Sequence, residues 1–174
     1  IQKIKIGENV NHIGPLAFYS CKNLVQVIIP DKVTIIENEL FSLCDSLKSI
    51  TLGSDTQLIK LRAFSGCENL EHIKLPNSVQ IIEYGAFENT NIRYVIIPEE
   101  TKIISKYSFN SPALISVYFE GNVPLELDTL SFGQNNDFSA HKTIYINENA
   151  KGFGSSLGNI PVKHVSPPIV NNTK

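Results

Sequence analysis

Tryptophan and methionine are missing from this 174-residue chain, and cysteine occurs only three times. Structural zinc sites place thiolates in close pairs such as C-x₂-C. Here Cys21, Cys44 and Cys67 stand far apart at one constant interval, one sulfur to a segment, with no second thiol and no His beside any of them. A disulfide framework would leave one of the three thiols over. Basic clusters are missing as well: the net charge is −2, and Lys102, Lys106 and Lys142 are scattered, so no phosphate-binding face for nucleic acid is expected. No apolar segment approaches the ~18 residues of a membrane span, so no membrane insertion is expected.

Catalytic signatures are equally scarce. The chain holds no Gly-rich phosphate loop, no H-E-x-x-H and no G-x-S-x-G. Close carboxylate pairs such as Glu99 with Glu100 and Glu126 with Asp128 follow strands, where solvated acids are ordinary. His12, His72, His141 and His164 fall in different places of the pattern described next, so no thiol has an evident base. Neither an enzyme nor a cofactor or metal centre is expected. The N-terminus has neither Met nor a signal-peptide pattern, and opens inside an alternating strand pattern. We therefore expect an excised or processed fragment, with further repeats or a cap upstream of Ile4.

What the chain does have is a repeat. Units start at Ile4, Val27, Ile50, Ile73, Val95 and Val117, so the numbering advances by 23 three times and then by 22 twice. Fourteen positions into each unit stand Phe18, Phe41, Phe64, Phe87 and Phe109, with Phe132 one residue late. Ala17, Leu40, Ala63, Ala86 and Ser108 precede them. Ile13, Ile36, Ile59, Ile82 and Ile104 form another column, and Leu24, Leu47, Leu70, Ile92 and Leu114 lead into each new unit. Every unit opens on an apolar-x-apolar triplet, a strand pattern, stopped in the first five units by Gly7, Pro30, Gly53, Pro76 or Pro98. The Ala-Phe pair predicts a short helical or 3₁₀ turn.

One unit cannot bury its apolar side alone, so the units must stack as a solenoid with strands about 4.8 Å apart in a parallel sheet. A single array over residues 1–165 is predicted, ending in a C-terminal cap over about 140–165, with 166–174 a tail or linker. The Asn-rich stretch from Gln134 to Asp137 marks a degenerate repeat before the cap. The uncapped edge at Ile4 and Ile6 offers itself to self-association with another copy.

Residues 67–87, CENLEHIKLPNSVQIIEYGAF, follow the frame C-x-N-L-x-x-I-x-L-P-x-x-V-x-x-I-x-x-x-A-F. That frame resembles the leucine-rich repeat of BspA-like bacterial and protist surface proteins. The resemblance runs over about residues 4–132, and the segment IYINENAKGF is similar to the family's terminal units. It implies a right-handed leucine-rich-repeat solenoid, β-rich, with one parallel-sheet strand in each repeat of the length just described. It also implies a secreted or cell-surface protein used for adhesion or recognition.

The repeat sets the expectations for function. Stacked cysteines have parallel Cβ vectors about 4.8 Å apart, beyond the usual bridging separation of about 3.5–4.5 Å, so the thiols are read as small buried hydrophobes. Thr90 and Pro112 take the cysteine place in later units. Charges of alternating sign stack as Lys48, Glu71 and Arg93, and as Glu37, Lys60 and Glu83. The outward strand residues make a continuous concave surface, and His72, Lys74, Tyr94, Ile96, Tyr118 and Tyr145 are its candidate ligand-binding residues. The expected partner is a protein or a glycan; the alternative is a structural spacer with no ligand of its own.

Overall fold

The computed structural model describes residues 2–133 and 142–165. The tail at 166–174, the Asn-rich stretch from Gln134 to Asp137, and His141 lie outside the described residues. In chain order the strands are β1 (Lys3–Lys5), β2 (Gln26–Ile28), β3 (Ile35–Ile36), β4 (Ser49–Thr51), β5 (Leu58–Ile59), β6 (Ile81–Ile82) and β7 (Tyr94–Ile97). They continue as β8 (Ile103–Ile104), β9 (Ser116–Phe119), β10 (Glu126–Leu127), β11 (Thr143–Asn147), β12 (Ser156–Leu157) and β13 (Ile160–Val165).

The register repeats the sequence period. Lys3 pairs with Gln26 and Gln26 with Ser49, a step of 23, while Tyr94 pairs with Ser116, a step of 22. Every pairing along the array is parallel, and only the small β12 runs antiparallel to its partner β13. Within each strand the alternation puts one side inward: Val27 and Ile29 are buried, with Ile28 between them only half-buried.

Two features of the backbone differ from the sequence expectation. Most units carry a second short strand, and β3, β5, β6, β8 and β10 form a further parallel ladder through Ile35, Leu58, Ile81, Ile103 and Glu126. The column of Ile36, Ile59, Ile82 and Ile104 therefore lies in strands of its own. The expected helical or 3₁₀ turns at Ala-Phe are absent among the described residues. In their place the amides of Leu16, Phe18 and Ser20 donate to the carbonyls of Asn38, Leu40 and Ser42 in the next unit. The intervening amides of Ala17, Tyr19 and Cys21 turn back to carbonyls three residues earlier. A helix would keep every amide on its own axis and leave none for the neighbouring unit.

That alternation needs left-handed backbone. Leu16, Glu39, Arg62 and Tyr107 share one column with Gly85, and Ser20, Leu43 and Asn89 share another with Gly66, all at φ between 50° and 74°. A side-chain-bearing residue in this region costs about 1–2 kcal/mol, which the two or three inter-unit hydrogen bonds at each step offset.

Inside the turns the phenylalanines form one stack. Phe18, Phe41, Phe64, Phe87 and Phe109 lie with ring centroids 5.0–5.5 Å apart and planes within 10° of parallel. Phe132 continues the stack at 5.9 Å despite its late position. Polar intruders in the core columns find backbone partners. The Thr56 and Thr101 hydroxyls donate to the carbonyls of Val33 and Val79, and the Ser108 hydroxyl donates to the carbonyl of Glu83.

Of the charge ladders, one rung forms as drawn: Lys60 Nζ meets both oxygens of Glu37 at 2.9 and 3.0 Å. Glu83 instead accepts the amide of Leu61 at 2.9 Å, since that left-handed turn leaves the amide pointing outward. Among the described residues, Lys48, Glu71 and Arg93 make no ion pair.

Candidate functional site

The strand face carries the outward residues in rows. Parallel pairing of β7, β9 and β11 sets Ile96, Tyr118 and Tyr145 directly side by side, and Tyr94 in line with Ser116 and Thr143. Tyr94 is 52 % exposed and Ile96 37 %, large apolar surface for a free strand face. The His72 ring lies 5.0 Å from that of Tyr94, tilted by 40°, so this imidazole joins the aromatic group across a unit boundary.

Tyr118 has a further peculiarity. Its hydroxyl oxygen is sealed from solvent and has no hydrogen-bond partner, the one such buried side-chain atom among the described residues. Burial, with Glu120 nearby, pushes its ionisation above the ordinary tyrosine value. An orphaned hydroxyl of this kind costs about 1–3 kcal/mol.

Five of the six residues singled out in the sequence thus fall on one patch. Lys74 does not join it. The triplet at 73–75 forms no strand, and residues 72–75 belong to neither neighbouring sheet: one holds β1, β2 and β4, the next begins at β7. Between β4 and this segment lies a cleft of about 570 Å³, with exposed Lys74 in its wall. Asp31, Thr51, Ser54 and Asn77, which line the same cleft, were not singled out from the sequence. The available signal was Gly53, standing where neighbouring units have Pro30, Pro76 and Pro98.

The cysteines are unpaired, Cys21 half-buried and Cys44 and Cys67 fully buried. Each buried sulfur reaches back to a phenylalanine carbonyl, Cys44 to Phe18 at 3.0 Å and Cys67 to Phe41 at 3.1 Å. Burial raises the Cys44 thiol to about 11 and pushes Cys67 further up. In the fourth unit Thr90 Oγ1 donates to the carbonyl of Phe87. In the fifth it is Ser111, not Pro112, that fills the place, because the Leu114 amide donates to the Ser111 carbonyl as Leu70 does to Cys67. The thiolate is the reactive species. Iodoacetamide at pH 8 is therefore expected to modify Cys21 in the native protein, and Cys44 and Cys67 only after denaturation. Native labelling of Cys67 by mass spectrometry would contradict its buried place.

Stacked parallel ladders, a register that advances by 23 or 22 from unit to unit, and an ordered phenylalanine spine define a leucine-rich-repeat solenoid. Residues 1–123 match the BspA type leucine rich repeat region in six copies, and the chain belongs to that family. A leucine-rich repeat protein from Bacteroides ovatus is similar over 86 % of this chain and 41 % of its own, at 23 % identity and a TM-score of 0.66. The Leucine Rich Repeat protein of T. pallidum covers 68 % of this chain and 61 % of its own, at 25 % identity and a TM-score of 0.63. A leucine rich cell surface protein from Faecalibacterium prausnitzii covers 68 % and 39 %, at 26 % identity and a TM-score of 0.50. The chain thus spans less than two thirds of the length of each of these three. Among curated proteins no match was found.

Proposed function

We propose that this chain is a non-catalytic binding module of a bacterial cell-surface or secreted protein, recognising a protein or glycan on its strand face. The observation that carries this reading is the row Ile96, Tyr118 and Tyr145 beside exposed Tyr94. Tyrosine rings bury large area at low conformational cost while the hydroxyl keeps a hydrogen bond, which is why contact surfaces are enriched in them. The cell-surface placement draws on the family and on the Faecalibacterium prausnitzii cell surface protein.

The test is direct. An immobilised glycan array and a displayed protein library are screened with the parent chain, and the hits are retested with the Tyr118→Ala/Tyr145→Ala double variant. Affinity is expected to fall at least about tenfold, the effect of about 1.4 kcal/mol, since ring contacts at hot spots are worth that or more. The melting temperature should move by only a few degrees, because both rings are half-buried and Tyr118 sheds an orphaned hydroxyl. Equal affinity of the two proteins for the same ligand would remove the row from the site. Failure to recover any ligand would favour a spacer role.

A further inference from the structure

We propose that the cleft between β4 and residues 72–75 is a strand-addition site, taking an extended segment of a protein ligand as a guest strand. This inference does not depend on the tyrosine row. The cleft lies at a local defect in the strand-face hydrogen-bond pattern. No backbone group of His72, Ile73, Lys74 or Leu75 takes part in a hydrogen bond among the described residues. The same triplet in the second unit is paired on both sides, with β1 and with β4. The side chains of Ile73 and Leu75 nevertheless stay in the core, 8 % and 5 % exposed. By the register of the other units, the amides and carbonyls of His72 and Lys74 face β4 across the cleft while those of Ile73 and Leu75 face β7, so the former are the backbone groups open to a guest strand.

The opening is confined to the strand face. Across the same two units the second ladder stays closed, Leu58 pairing with Ile81, and Phe64 still stacks on Phe87 at 5.1 Å. Gly53 accounts for the local separation. A Cβ there would lie 2.4 Å from the carbonyl oxygen of Pro30, so only glycine lets the turn after β4 settle onto the preceding unit. The Ser54 amide then bonds Asp31 at 2.8 Å, holding that turn toward Pro30 and away from Pro76.

The walls select the occupant. The cleft of about 570 Å³ is floored by Ile50 and Leu52, with one acid, Asp31, and one base, Lys74, at its rim. Charges of both signs do not favour a phosphate or any other singly signed ligand. Among the described residues no aromatic ring lines it to stack on a sugar. Unpaired backbone groups recur along a strand at about 3.3 Å per residue, a spacing that another extended backbone reproduces. Recognition by such an edge is strand addition, with backbone bonds supplying affinity and alternate side chains specificity.

Hydrogen exchange resolved by residue tests this on the intact chain. In the free protein the amides of Ile73, Lys74 and Leu75 should exchange at least ~100-fold faster than those of Val27 and Val95, whose strands are paired. A library of terminally blocked heptapeptides, alternating β-branched and polar residues, is then selected on the immobilised protein. A selected peptide should slow exchange of the His72 and Lys74 amides at least ~10-fold, and the Tyr118→Ala/Tyr145→Ala variant should keep that protection. Gly53→Pro installs the residue that units two, four and five carry, removes no hydrogen bond of the glycine amide, and should abolish the protection by closing the cleft. Slow exchange at 72–75 in the free protein would overturn the proposal. So would the absence of any peptide that slows it, or unchanged protection in a folded Gly53→Pro protein.

Discussion

Phe64→Ala should cost about 3–5 kcal/mol of stability, the largest loss expected from any single truncation in this array. Phe64 is fully buried and stacks on two neighbours, Phe41 at 5.5 Å and Phe87 at 5.1 Å. Truncation removes the transfer energy of the ring, leaves a cavity, and deletes two stacking contacts worth about 0.5–1.5 kcal/mol each beyond area. The cavity does not collapse easily. Three inter-unit hydrogen bonds on each side, among them Phe64 to Ala86 and Phe41 to Ala63, hold the backbone spacing. In a solenoid each unit touches only its neighbours, so the weakened interface should also let the two halves melt separately. Urea denaturation followed by near-ultraviolet absorbance and by circular dichroism would show the two probes no longer coinciding. Tyr94→Ala, on the exposed face, is the control and should stay within about 0.5 kcal/mol of the parent. A comparable loss in both variants would mean that the phenylalanine spine is not the organising contact.

The second large effect is a pH dependence that sits in one side chain. Lys142 is buried, its Nζ donating to the carbonyls of Phe132 at 3.0 Å and Ser111 at 3.4 Å, and burial lowers its pKa from 10.5 to about 7. Below about pH 7 both folded and unfolded chains carry this proton, and the cost of burying the ammonium is fully present. Between about 7 and 10.5 the unfolded chain still binds the proton and the folded chain has released it, so stability rises with pH. The buried thiols act in the opposite sense. Cys44 ionises at 9.0 when unfolded and about 11 when folded, which erodes stability above pH 9. Comparison with Lys142→Met cancels the thiols. At about 1.4 kcal/mol per pH unit, reduced for the water that still reaches the side chain, the parent should gain about 2–3 kcal/mol on the variant between pH 6 and 10. The slope is the readout, because the methionine leaves two carbonyls without this donor and shifts both ends of the curve alike. Parallel profiles for parent and variant would place the Lys142 ammonium in contact with water.

Much of the molecule could be read in advance because repetition converts a column in the sequence into a stack in space. Once Phe41 and Phe64 are known to stand one full period apart in a stacked array, their contact follows. The buried cysteines follow in the same way, as does the row of Ile96, Tyr118 and Tyr145. Each of these depends only on which residue lies beside which. The turn backbone did not follow, because Ala-Phe suits a helical turn equally well. The choice fell to the amides of Leu16, Phe18 and Ser20, which bond the next unit and so require left-handed neighbours. Ser111 was hidden behind Pro112 for a similar reason: the shorter turn after Phe109 moves the place by one residue, and only the Leu114 hydrogen bond reveals it.

By itself the sequence determined the period, the inward columns, the family and the side chains on the strand face, since all of these are consequences of spacing. Whether neighbouring strands come within hydrogen-bonding distance was decided only by the tertiary structure. At 72–75 a perfect match to the repeat is left unpaired, because a glycine one unit earlier lets the adjoining turn lean the other way, onto Pro30. Spacing names the neighbour; backbone contact sets the distance to it.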